Sequence, residues 1–140
     1  MSYRVPKTRR TKPCRFRNLI PIEVQELTNG CGGKGGWFKG PGDLFCRACK
    51  HHDFNYWLGG TEDDRLKADW QFYIHMCEEA ASHRSWWTKT RKKALAWIYY
   101  RAVRHFGSRY FVYNPKQDAW TRLESEMSDA GYRPDEAYFE

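Results

Sequence analysis

The sequence predicts a mostly α domain: an antiparallel helix pair, a glycine-rich loop before it and a third packed helix after it. Three observations carry that expectation. Apolar and small residues recur at helical spacing in three stretches, 44–58, 61–82 and 86–106. The first two stretches are joined only by Gly59-Gly60, and so short a connection folds a helix back on its neighbour. Thr28–Asp43 holds seven glycines, which marks a loop that turns tightly or approaches something closely.

Taken in order, residues 1–18 carry seven Lys/Arg up to Arg17 and no acid, and read as a loosely attached basic arm. The segment "NLIPIEVQEL" fits a short helix or an extended piece equally. After the glycine loop, Asp43 is placed as an N-cap. Phe45, Ala48, Cys49 and Tyr56 then share a helical row with His52, and the glycine pair ends the helix. Thr61 with Asp64 has the form of a capping box. The helix it opens has an apolar face of Leu66, Phe72, Tyr73, Met76 and Ala80, with Asp69 on it. The third helix, "WWTKTRKKALAWIYYRAVRHF", is stopped by Gly107, and its Trp97, Ile98, Tyr100 and Val103 are expected in the core. Asp118 to Glu140 holds seven acids against Arg122 and Arg133, the composition of a solvated or partner-binding tail that can also fold back on the basic body. The expected organisation is an arm (1–18), a domain (19–112) and an acidic tail (113–140).

The chain has 140 residues, enough for one domain with a real core. No run of about 18 apolar residues is present, so no membrane-spanning helix is expected. The basic N-terminal stretch lacks an apolar segment behind its charges and does not read as a secretory signal. A net charge of +7 favours polyanionic partners, either an anionic membrane or nucleic acid. Five cysteines, Cys14, Cys31, Cys46, Cys49 and Cys77, leave at least one outside any internal pairing.

Asp69 sits in an inward-facing row, where a carboxylate is costly unless it is paired or hydrogen-bonded. His52 on the facing helix is the partner the spacing supplies, because His51 is turned about 100° away and reads as a solvated surface residue. A His–Asp pair is a general-base unit. Asp53 faces another direction, where it would complete an oxygen cage with carbonyls of the glycine loop, the arrangement that Ca²⁺ takes.

These residues resemble phospholipase A2. Cys49-x-x-His52-Asp53-x-x-Tyr56 matches that superfamily's "CxxHDxxY" helix, "NGCGGKGG" takes the place of its calcium loop, and Asp69 in "KADWQF" matches its second-helix aspartate. The later "ALAWIYYRAVRHFG" is similar to the closing helix of small prokaryotic-type and phage proteins of this kind, so the likeness covers roughly Thr28 to Gly107. The resemblance implies that His52 takes a proton from the water that attacks the sn-2 ester of a glycerophospholipid. Asp69 would orient His52 and receive a hydrogen bond from Tyr56. Asp53 and the loop carbonyls near Gly30, Gly32 and Lys34 would hold Ca²⁺. A Cys31–Cys49 disulfide is implied as well. Cys46 and Cys77 fall at facing positions of the helix pair and are expected to form a second bridge. The chain departs from the family in a longer Cys31-to-Cys49 stretch, and in Asn29, where prokaryotic-type relatives can carry an aspartate.

Other readings of the same residues stand beside this one. His52 alone would read as a core histidine. Cys46-x-x-Cys49-x-x-His52 has zinc-ligand residues, but inside a helix and without a second ligand pair. The glycine loop lacks the GKS or GKT ending of a nucleotide loop. Trp86, Trp87, Lys89, Arg91, Lys92 and Lys93 form an aromatic-basic cluster: a solvated helix start, an anchor on anionic phospholipid, or a nucleic-acid patch, the last least favoured. A phospholipase-like protein that has lost turnover and serves as a binding or virion module is the first functional alternative.

Overall fold

The computed structural model describes residues 2, 3, 5, 8–28 and 45–134. Within them the chain is mostly helical: α1 (Pro21–Leu27), α2 (Cys46–Leu58), α3 (Glu62–Ala81), α4 (Trp86–Phe106) and α5 (Ala119–Asp129), with two-residue strands β1 (Ser2–Tyr3) and β2 (Arg133–Pro134). It divides into two compact units, Thr28–Pro115 and the pair of terminal segments Met1–Leu27 with Lys116–Glu140. The glycine loop, and with it Asn29, Gly30, Cys31, Gly32, Lys34 and Asp43, lies outside the described residues.

The larger unit is α2, α3 and α4. Its core gathers Phe45, Ala48, Cys49, Phe72, Met76, Ala96 and Val103. Helix α2 begins after Phe45, which provides no side-chain cap; Asp43, the expected cap, lies outside the described residues. An acceptor comes from the next helix instead: Glu79 Oε1 takes the Ala48 N–H at 2.9 Å, satisfying one of the orphan donors of the first turn. Helix α3 does start with the expected capping box of Thr61 and Asp64. Contacts between α2 and α3 run from Ala48–Glu79 through His51–His75 to Asn55–Gln71, ascending along one helix and descending along the other. The two helices therefore run in opposite directions.

The turn between them is fixed by glycine. Gly59 has φ 76°, and a β-carbon there would stand 2.0 Å from the Val112 carbonyl oxygen. Val112 accepts from Gly60 N–H at 3.0 Å and donates to Tyr56 O at 3.2 Å, while Asn114 N–H reaches Gly60 O at 2.9 Å. The segment after α4 thus returns across the α2–α3 connection.

Both expected core faces are met in part: Asp69, Phe72, Met76 and Ala80 of α3 and Val103 of α4 are buried, and Leu66, Trp97 and Ile98 depart. The buried row of α3 contains Arg65, Ala68, Asp69, Phe72, Met76 and Ala80, and Leu66, one position beyond Arg65, is 42% exposed. Helix α4 buries Ala96 and Val103 and leaves Trp97 and Ile98 exposed. Aromatics all round α4 hide its inner stripe, which small Ala96 and Val103 supply. Trp97 joins Trp70, Tyr73 and Tyr100 in an aromatic cluster with ring separations of 5.3–5.7 Å.

The terminal segments form a unit of their own, and their described residues pack on one another. Strand β1 pairs in parallel with β2. Arg9, buried, pairs with fully buried Glu23 and lies 4.1 Å over the Trp120 ring. Arg10 reaches both carboxylate oxygens of Glu124 at 2.6 Å, and Trp120 Nε1 donates to Lys12 O at 2.8 Å. The basic and acidic segments complement each other in charge, and Trp120 gives them an apolar centre.

Candidate active site

Asp69 is the hub. It lies on α3 with no solvent exposure, and a buried carboxylate must be fully bonded. His52 Nε2 stands 2.8 Å from its Oδ1. Tyr56 donates its hydroxyl to the same oxygen at 2.6 Å. His52 and Tyr56 are one turn apart on α2, which is why both reach one point on α3. The other oxygen, Oδ2, accepts from Arg104 Nη1 of α4 at 2.7 Å and has Arg65 Nη1 at 3.5 Å.

The His52 ring is held on both sides. It stacks on Phe72 at 4.4 Å and 23°, and lies 4.2 Å from the Tyr56 ring. Its exposure is 6%. Among the described residues no hydrogen bond is made by Nδ1, the nitrogen opposite the one tied to Asp69. Gly107 closes the far side: a β-carbon there would come within 2.4 Å of the Tyr56 hydroxyl oxygen. Tyr56 also meets Phe111 edge-on at 5.3 Å.

Electrostatics settle the protonation of the hub. Burial pushes the Asp69 carboxyl up, but the hydrogen bond and charge of His52, with the bonds from Tyr56 and Arg104, outweigh it and hold Asp69 below its ordinary value. An ionised carboxylate only accepts, so His52 Nε2 carries the proton of that bond. Burial, then the Asp69 charge, raises the Tyr56 phenol, which keeps it a donor. Glu62 completes the cluster: it binds Arg65 Nη2 at 2.7 Å, Arg104 Nη2 at 3.3 Å and the Tyr113 hydroxyl at 2.6 Å. Hydrogen bonds from Arg65 and then Tyr113 draw its carboxyl down to about 2.

The structure therefore brings together His52, Asp69 and Tyr56, as the residue pattern expects, and adds Arg65, Arg104 and Glu62. Arg65 had a local signal in its spacing of four from Asp69 and three from Glu62. Arg104, 35 positions away, had none. Asp53 is half-buried, one position beyond His52 on α2. Among the described residues no group of three or more His, Cys, Asp or Glu is placed to hold a metal ion. The carbonyl ligands expected at Gly30, Gly32 and Lys34 lie outside those residues.

The expected Cys46–Cys77 bridge does not form: both cysteines are free, with Cys46 exposed at the start of α2 and Cys77 packed beside the core. Glu79, not Cys77, stands opposite the start of α2. Cys49 is disulfide-bonded, which also removes it as a zinc thiolate. Its expected partner, Cys31, is outside the described residues.

His51 is not a solvated residue. It is half-buried, 5.0 Å from the His75 ring, beside a cavity lined by Arg47, His51, His75, Glu78, Glu79 and Ser82. Burial, then His75, lowers its imidazole to about 4.

Of the expected surface cluster, Trp86 and Trp87 are 65% and 71% exposed, and Arg91 and Lys93 are exposed. Lys89 and Lys92 are half-buried, the latter against His83. No helix among the described residues is long and apolar enough to cross a membrane. No family model, curated protein or solved structure matches the chain.

Proposed function

We propose that this chain is a Ca²⁺-dependent phospholipase A2-like hydrolase, cleaving the sn-2 ester of glycerophospholipids at an anionic membrane surface. One observation carries the reading: His52 Nε2 and the Tyr56 hydroxyl converge on the same oxygen of a fully buried Asp69. That arrangement fixes the His52 tautomer and leaves Nδ1 as the basic nitrogen.

The proposed chemistry follows from those roles. Nδ1 takes a proton from a water molecule as the water oxygen bonds to the ester carbonyl carbon. The imidazolium so formed is stabilised by Asp69, which stays ionised. It returns the proton to the departing glycerol oxygen as the ester C–O bond breaks, giving a fatty acid and a lysophospholipid. Phe72 and the Tyr56 ring keep the imidazole in one orientation throughout.

The Asp53 carboxylate, on the same helix and next to the proposed base, is the hard oxygen donor that Ca²⁺ selects, with carbonyls near Gly30, Gly32 and Lys34 as its proposed companions. When bound, Ca²⁺ supplies positive charge for the substrate phosphate and the oxyanion. Helix α4 supports the membrane side of the reading. It carries six Lys/Arg and no acid, and it exposes Trp86, Trp87, Trp97 and Ile98.

The test is fatty-acid release from phosphatidylglycerol/phosphatidylcholine vesicles, with Ca²⁺ and then with chelator, beside His52→Ala. Release that needs Ca²⁺ and disappears in the variant supports the reading. Release that persists in His52→Ala removes His52 as the base. No release from wild type, with Ca²⁺ still bound, would point to a silent phospholipase-like binding module.

A further inference from the structure

We propose that Arg104 is a positioning residue: it clamps Oδ2 of Asp69 so that Oδ1 stays aimed at His52. The inference rests on the reading of His52 as the base, and adds the third helix to the site's working parts.

A carboxylate bonded at one oxygen alone can turn about its Cβ–Cγ bond, and here Oδ1 already serves two donors, His52 and Tyr56. What fixes the plane is the donor on Oδ2. Arg104 Nη1 holds that oxygen at 2.7 Å, whereas Arg65 Nη1 is 3.5 Å away and donates to Val103 O at 3.3 Å, and Arg65 makes its shorter bonds to Glu62 through Nε and Nη2 at 2.7–3.1 Å. Arg104 is itself fixed by a second contact, Nη2 to Glu62 Oε1 at 3.3 Å. A planar guanidinium bonded at both ends has little freedom to follow a rotating carboxylate. The four groups Asp69, Glu62, Arg65 and Arg104 also balance in formal charge, so the buried carboxylate has cationic partners besides His52. Arg104 does not contact His52 and acts only through Asp69.

The test compares Arg104→Gln and Arg104→Lys with wild type on two readouts. The first is kcat against KM on the vesicle substrate. The second is the downfield proton resonance of His52 Nε2–H, assigned by its loss in His52→Ala; it reports the bond to Asp69 whether or not the protein turns over. Arg104→Gln is expected to lower kcat by about 10–100-fold, the usual loss for a group that orients a working side chain, with KM little changed. It should also broaden or abolish the proton signal. Arg104→Lys, which keeps a charged donor, should recover most of both. An unchanged signal in Arg104→Gln would overturn the proposal, as would a Lys variant no better than Gln. If wild type hydrolyses nothing, the hydrolase reading fails, yet the proton signal still decides the positioning role. Glu62→Gln, which loosens the far end of Arg104, serves if Arg104→Gln does not fold: a weakened signal supports the clamp and an unaltered one overturns it.

Discussion

Gly107 lies directly against the Tyr56 hydroxyl: a β-carbon at 107 would stand 2.4 Å from the phenol oxygen and 3.1 Å from the ring. The contact ties the end of α4 to the residue that holds Asp69 from the α2 side.

Gly107→Ala is therefore expected to push Tyr56 off Asp69 and to destabilise the fold by about 1–3 kcal/mol, the usual penalty for overpacking. Gly107 has φ −75°, so no backbone strain is involved and the clash alone is measured. Combining it with Tyr56→Phe removes the clashing oxygen. The double variant should then cost clearly less than the two single losses added together, read by urea unfolding. Simple additivity would mean that the hydroxyl is not what the new methyl meets.

Glu62 sets an acid limit. Its carboxyl is drawn from 4.5 to about 2 in the folded chain. A lowered carboxyl contributes stability that is complete above the unfolded value and is lost as pH falls through the folded one. Wild type should accordingly lose stability between pH 4.5 and 2 more steeply than Glu62→Gln, in denaturant melts at stepped pH. Equal slopes would show that Arg65 and Tyr113 do not hold this carboxylate in solution.

The thiols give a third check. Non-reducing peptide mapping after alkylation should find Cys14, Cys46 and Cys77 modified and Cys49 protected. In the native protein Cys46 should react first. Cys14 should lag at pH 8, because burial raises its thiol to about 11. A protected Cys46 or Cys77 would restore the bridge that the fold excludes.

These outcomes bear on how far residues alone could be read. The His52–Asp69 pair was legible because Gly59-Gly60 forces the two helices together and each residue lies in an inward row. Tyr56 shares that row, but its bond to Asp69 was expected only from the resemblance to phospholipase A2. Arg104 was not legible, and Arg65 had only its spacing from Glu62 and Asp69, since a basic side chain defaults to solvent until a buried carboxylate draws it in. The outward rotation of Trp97 and Ile98 was hidden for a different reason: tryptophan and isoleucine dominate any pattern, while the small Ala96 that seats α4 leaves little trace. The opposite charges of the two segments allowed the acidic one to fold back, but its particular partners were out of reach because Arg10 and Glu124 are separated by 114 positions.

That long separation has a consequence for the order of events on the ribosome. Strand β1 is made near the beginning of this sequence, and β2, its partner, near the end. Arg10 must likewise wait for Glu124. The α2–α3–α4 unit is complete in sequence well before either match can be made. Until then the basic segment that carries Arg9 and Arg10 has no acidic complement from α5, and a nascent chain is most exposed to passing polyanions over that interval. Pairing of β1 with β2 therefore waits until translation has passed the α2–α3–α4 unit.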